Sequence, residues 1–305
     1  MIKKILSLCL ISALLAVAIP ALAKSIRVPA TVKPSGRTVI IPQNAIQVAP
    51  HVFSLGTSVD PQTGKLVEGY AVFKYKDAPG KPGTSCGNGV CEPGENANKC
   101  PSDCGGGEDP VPDDSTCYGY LAKGAKWKTT EDYLVNATNT SGLDENLIRG
   151  NVALDISKWE DASDGAIDGI LGYNILGNEV EGEVDGADTI RPDGKNELYF
   201  GEITNSNAIA VTIIWGIFNG RPTDRELVEW DQVYDEVDYD WSLSGEAGKM
   251  DFESIATHEL GHSTGLADLY TSDCSEQTMY GYADYGETKK QTLEAGDITG
   301  IDELY

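Results

Sequence analysis

Residues 251–268 read Asp251-Phe-Glu-Ser-Ile-Ala-Thr-His258-Glu259-Leu-Gly-His262-Ser-Thr-Gly265-Leu-Ala-Asp268. Two of the chain's three histidines stand four apart in this stretch, around Glu259. On an α-helix, positions i and i+4 leave one face about 5 to 6 Å apart, so the imidazoles of His258 and His262 can meet one tetrahedral ion. Glu259, beside the first of them, is placed to reach a water on that ion rather than the ion itself. Asp251 offers a cap where the helix begins. Gly265, three residues past His262, can take the left-handed conformation that ends a helix at low cost. A chain that doubles back there presents Asp268 as a third ligand, with Asp273 and Glu276 as nearby acidic alternatives.

The flanks carry more of the same pattern. Tyr239-Asp-Trp-Ser242 and Lys249-Met-Asp-Phe252 lead into the helix, and Thr278-Met279-Tyr280-Gly281-Tyr282 follows it. A last matching segment runs from Leu293 to Tyr305. Together these segments resemble the matrixins of the metzincin clan, in the variant whose His-Glu-x-x-His-x-x-Gly-x-x motif ends in Asp instead of His. The resemblance runs from about residue 120 to residue 305 and is densest over 239–305. It implies an α/β zincin fold with a twisted, mostly parallel sheet, an active-site helix, and a Met-turn that places Met279 beneath the metal. It implies a zinc endopeptidase: His258, His262 and Asp268 hold Zn2+, and Glu259 acts as general base and then general acid on a zinc-bound water. An extended peptide would lie antiparallel to an edge strand between Asn207 and Asn219. The residues after Met279 would wall the specificity pocket, with Tyr280 and Tyr282 as candidate substrate contacts. A contrasting reading is an exported zincin-fold binding or adhesion protein without turnover, which would have no need of Glu259.

Upstream of the motif, periodicity supports a mixed domain over residues 117–305. Leu143 to Trp159 has apolar residues at helical spacing, with Ser141 or Asp144 as cap. Strands are expected over Trp127 to Asn136, Glu197 to Ile203, Ala208 to Phe218 and Leu227 to Val237. Ala208 to Phe218 is apolar on both faces, as a covered strand would be.

Farther out the chain divides by composition. Residues 1–23 have Lys3 and Lys4, an apolar run of about 15 residues and Ala21-Leu22-Ala23, the pattern of a signal peptide and too short to span a bilayer. Residues 24–77 form a β-rich segment, either a pro-segment lying in a cleft or an accessory unit, in which His51 is given no role. Residues 78–85 and 105–116 read as linkers. Between them, residues 86–104 hold Cys86, Cys91, Cys100 and Cys104 with almost no apolar side chains, so two disulfides must hold that module together. Cys117 and Cys274 are left as a long-range pair. Calcium could bind Asn88, Glu95 and Asp103, or the acidic loops 161–168 and 185–193.

With 48 acidic and 23 basic residues the net charge is -25. Such a chain repels phosphate backbones and anionic lipid, which argues against nucleic-acid partners. The expectation is a secreted monomer that acts on proteins or peptides, with no membrane span in the mature chain.

Overall fold

The computed structural model describes residues 37–76, 114–163 and 175–305. The signal segment, the linker at 78–85, the four-cysteine module and nearly all of the acidic linker lie outside them. The strands are β1 (Thr38–Val39), β2 (Ile46–Ala49), β3 (Val52–Val59), β4 (Leu66–Lys76), β5 (Tyr133–Asn136), β6 (Asn196–Ile203), β7 (Ala208–Ile217), β8 (Glu226–Asp235), β9 (Trp241–Ser242), β10 (Met250–Asp251) and β11 (Tyr282–Ala283). The helices are α1 (Glu145–Ala162), α2 (Phe252–Thr264) and α3 (Ala295–Leu304).

The main sheet runs β1-β6-β8-β7-β4-β3-β2, with β5 also on β6 and β11 also on β4. Strands β1, β5, β6 and β8 pair in parallel, whereas β8, β7, β4, β3 and β2 pair antiparallel in succession. The sheet is therefore mixed rather than mostly parallel. Residues 46–76 cause the difference, because they extend the sheet beyond β7 with three antiparallel strands. Nine of the ten residues of β7 are buried, since the strand has neighbours on both edges and packing on both faces.

Two apolar layers hold the sheet. On one face α1, α2 and α3 pack with Trp230, Tyr234, Trp241, Phe252, Leu260 and Met279. On the other, Val67, Ala71 and Phe73 of β4 meet Val211, Ile213 and Trp215 of β7 and Val233 of β8. Trp215 lies so close to Gly69 of the paired strand that a Cβ there would fall 2.6 Å from its ring. Burying each such side chain contributes about 1.5 to 3 kcal/mol.

Local signals account for the helices. Asp144 caps α1 by accepting from the Asn146 and Leu147 amides, and the helix buries Ile148, Val152, Ile156 and Trp159. The Trp159 indole donates to the Thr257 carbonyl at 2.8 Å, which ties α1 to α2. The run from Trp127 yields a strand only at Tyr133–Asn136, because Trp127 itself turns inward and donates its indole N–H to Ser263 O. Cys117 and Cys274 form a disulfide that joins the start of this region to the segment after Asp268. Among the described residues no helix is long and apolar enough to cross a membrane.

Candidate metal centre

The Asp251 side chain accepts from the Ser254 amide and starts α2. Gly265 ends it at φ 111°, where its N–H reaches Gly261 O and His262 O. The chain then turns back: Leu266 bridges to Tyr120, and Leu269 donates to Met279 O at 2.9 Å. This return carries Asp268 beneath the two histidines.

The rings of His258 and His262 lie 4.8 Å apart, nearly perpendicular. His258 Nδ1 is 2.6 Å from the Thr278 carbonyl, and His262 Nδ1 is 2.9 Å from the Leu266 carbonyl. Carbonyls accept, so each Nδ1 carries the proton and each Nε2 presents a lone pair. Both Nε2 atoms face Asp268 Oδ1, at 3.1 and 3.5 Å. The donor atoms of His258, His262 and Asp268 all fall within 4.8 Å of one another.

Four buried atoms here have no hydrogen-bond partner: His258 Nε2, His262 Nε2, Asp268 Oδ1 and Glu259 Oε1. Leaving one buried polar atom unsatisfied costs about 1 to 3 kcal/mol, and four converging on one point fit a cation. Two neutral imidazoles and a carboxylate are also the donor set zinc takes, and the partners at Nδ1 orient the rings as second-layer acceptors do in zinc sites. Asp273 and Glu276 are not part of the group: Asp273 is exposed, and Glu276 pairs with Lys289 at 3.0 Å.

The surroundings set the charge states. Burial pushes the Glu259 carboxyl up to about 7 and, with Lys74 nearby, depresses His258 to about 3. Burial alone would raise the Asp268 carboxyl as well, but in the metal-free site a proton shared with His262 and His258 outweighs it and holds the group well below the usual range, and a bound cation would supply that positive charge in the proton's place. The Tyr270 hydroxyl donates to Asp268 Oδ2 at 2.8 Å, which turns Oδ1 toward the histidines. Thr212 of β7 donates to Glu259 Oε2 at 2.6 Å, which leaves Oε1 directed at the site.

Met279 lies under α2 at Gly261, where any Cβ would overlap its sulfur. Its turn is fixed by Asp297, which accepts from the Thr278 and Met279 amides at 2.7 and 3.1 Å. Tyr280 and Tyr282 follow, 5.8 Å apart edge to face. Tyr282 packs with Tyr270 and His51, so His51, given no role in the sequence, belongs to an aromatic cluster that also contains Tyr75.

Sequence reasoning missed three residues. Thr212 was detectable as the one hydroxyl in an otherwise apolar strand. Tyr270 gave no signal beyond standing two residues from Asp268. Lys74, one of three charged residues in β4 beside Glu68 and Lys76, is fully buried with its Nζ 3.2 Å from His258 Nδ1, and it donates to Tyr280 O. Burial lowers this ammonium to about 7.

One expectation is overturned. The strand over 207–219 is not an edge, because β4 pairs with β7 antiparallel from Glu68↔Gly216 to Tyr75↔Ala208. Residues 66–76 thus lie where an incoming peptide was expected.

A second acidic group lies on the other face of the sheet. Asp188, from the loop over 185–193, comes within 4.8 Å of Glu229 and Asp231 of β8, ligand atom to ligand atom. Asp188 N donates to Asp231 Oδ2 at 2.8 Å and Gly194 N to Glu229 Oε2, while Glu229 Oε1 is buried without a partner. Most of the loop over 161–168 lies outside the described residues.

Compared with known families, residues 224–305 match the model of Matrixin, a peptidase family. No curated protein matches the chain. The match supports a matrixin-like, metzincin-like metallopeptidase, hence a hydrolase that depends on zinc and acts on proteins. The mixed α/β architecture, with its curled sheet and few helices, fits such a domain.

Proposed function

We propose that the chain is a secreted zinc endopeptidase in which His258, His262 and Asp268 hold the ion and Glu259 moves the proton. The observation that carries this reading is the convergence of two imidazole Nε2 atoms, one carboxylate oxygen and Glu259 Oε1, all buried and all without partners. Zinc bound there would polarise a scissile carbonyl and lower the pKa of a water. The chain's own groups do the rest. Thr212 fixes Glu259 by one oxygen, so the other is free to take a proton from the attacking water and pass it to the leaving amine. A carboxyl pushed up to about 7 by burial is suited to both halves of that transfer near neutral pH. Thr278 and Leu266 hold the two imidazoles in the tautomer that leaves Nε2 open. Met279, beneath Gly261, supports the floor in the manner of a Met-turn.

On the same reading, residues 1–23 direct export, residues 24–77 include a pro-segment, 86–104 form a disulfide module between two linkers, and 117–305 carry the chemistry. Calcium held by Asp188, Glu229 and Asp231 would brace the far face of the sheet. A binding protein without turnover would not need the Thr212 contact that directs Glu259.

The test is hydrolysis of an unfolded protein by the zinc-loaded chain once its cleft is open, with and without chelator and beside Glu259→Gln. Loss of activity under both treatments is expected. Activity that survives either one would overturn the proposal.

A further inference from the structure

His258, Glu259 and His262 have no exposed surface, and the Asp268 side chain is 2% exposed. No substrate carbonyl can reach them in this arrangement, and Lys74 of β4 packs against His258.

Strand β4 is held along both edges. It runs antiparallel to β7 over Glu68 to Tyr75 and parallel to β11 through Tyr75↔Tyr282 and Lys76↔Ala283. An extended peptide bound between the same two strands would make these same main-chain hydrogen bonds. Side chains alternate along it. Ala71 and Phe73 enter the layer remote from the helices, while Tyr70 packs 5.0 Å from Phe218 and Lys74 turns toward α2. There its Nζ lies between His258 Nδ1 and the Tyr280 carbonyl, with Glu259, Asp268 and Glu287 as surrounding acids and Lys290 as the opposing cation. Three acids against one cation surround this fully buried lysine, so on balance the pocket is complementary to a long basic side chain, as it would be to a ligand. A stretch of 37 residues separates β4 from the next described residue, Asp114.

We infer that residues 66–76 act as a resident pseudo-substrate: they fill the peptide groove between β7 and β11, and the groove takes extended peptides that put a long basic side chain where Lys74 lies. The inference rests on the peptidase reading of the metal centre, whose substrate class and latency it specifies. Opening the groove requires β4 to leave β7.

The test uses the full chain. Zinc-loaded wild type and Lys74→Asp are compared for hydrolysis of a fluorogenic peptide library. Two labelled peptides are then titrated into each chain in a Glu259→Gln background, which removes turnover; one has the sequence of residues 66–76 and the other has Asp in place of its lysine. An Asp at position 74 faces Asp268 and Glu259, so β4 is expelled and hydrolysis rises by about tenfold or more over wild type. The lysine peptide binds the opened groove about tenfold tighter than the Asp peptide, and cleaved library members are enriched in Lys or Arg at one subsite. Wild type binds neither peptide. If Lys74→Asp does not fold, Lys74→Ala, which empties the pocket and loosens β4, is judged by the same peptide pair. Equal binding of both peptides, or binding of neither, overturns the inference. Lysine-dependent binding without hydrolysis keeps the groove assignment and removes the peptidase reading, whereas hydrolysis without lysine-dependent binding does the reverse.

Discussion

The acidic group formed by Asp188, Glu229 and Asp231 should make stability depend on pH and calcium together. Burial pushes the Glu229 carboxyl from 4.5 up to about 9 and Asp188 up to about 6, and raises Asp231 well above its ordinary value. A carboxyl whose folded pKa is raised keeps a proton that the unfolded chain has released. Its contribution to stability is fully present below the unfolded pKa and is lost as pH climbs through the folded one. Each pH unit in that window costs about 1.4 kcal/mol per group, so Glu229 alone would remove on the order of 4 kcal/mol between about pH 5 and pH 8. For a chain of this size that lowers Tm by about 10 °C. If calcium is held there as proposed, it would bind the ionised carboxylates, and calcium at a hundred times its Kd should restore about 2.7 kcal/mol at the higher pH. It should restore little at the lower one, where protons occupy the site. Differential scanning calorimetry at both pH values, with and without calcium, measures this, and Glu229→Gln should flatten the slope and weaken the calcium effect. A Tm indifferent to calcium at both pH values, or an unchanged slope in Glu229→Gln, would refute the reasoning.

Three further outcomes follow from the metal centre, with rates measured on chains whose groove is open. Thr212→Val releases Glu259 Oε2, so kcat should fall by about tenfold to a hundredfold with KM little changed; a KM effect alone would contradict this role. Asp268→His replaces a carboxylate by a neutral ligand, so the metal gains effective charge and the acidic limb of the rate profile should move to lower pH. An unmoved or raised limb would count against Asp268 as a ligand. Gly261→Ala drives a methyl into Met279 and Trp159 and should cost about 1 to 3 kcal/mol in denaturant unfolding; a neutral result would show that Met279 has room to move.

How much could be read beforehand follows from how local each signal is. His258, His262 and Gly265 lie within one helix and its cap, so the i, i+4 geometry and the stop after it were visible in eleven consecutive residues over 258–268. Asp144 and Asp251 marked helix starts for the same reason, since a cap acts on amides two or three residues away. The Cys117 and Cys274 bridge was legible because, with Cys9 set apart in the expected signal segment, the remaining four cysteines cluster within 86–104. Strand partners are not written in a strand. Ala208–Ile217 shows that it is covered, but its residues do not say that Leu66–Lys76 does the covering. The mixed sheet and the buried Lys74 both depend on that pairing. The acidic group was hidden for a related reason, because Asp188 reaches Glu229 and Asp231 only through the fold.

The central claim is that His258, His262 and Asp268 form one zinc site. X-ray absorption at the zinc edge, taken on the zinc-loaded full chain beside the His258→Ala and His262→Ala variants, tests it most directly. One zinc per chain is expected, with two imidazoles, oxygen as the remaining ligand and no sulfur; each substitution should remove one imidazole and weaken zinc binding by about tenfold or more. Sulfur in the zinc shell, or a zinc environment unchanged in either variant, would contradict the account.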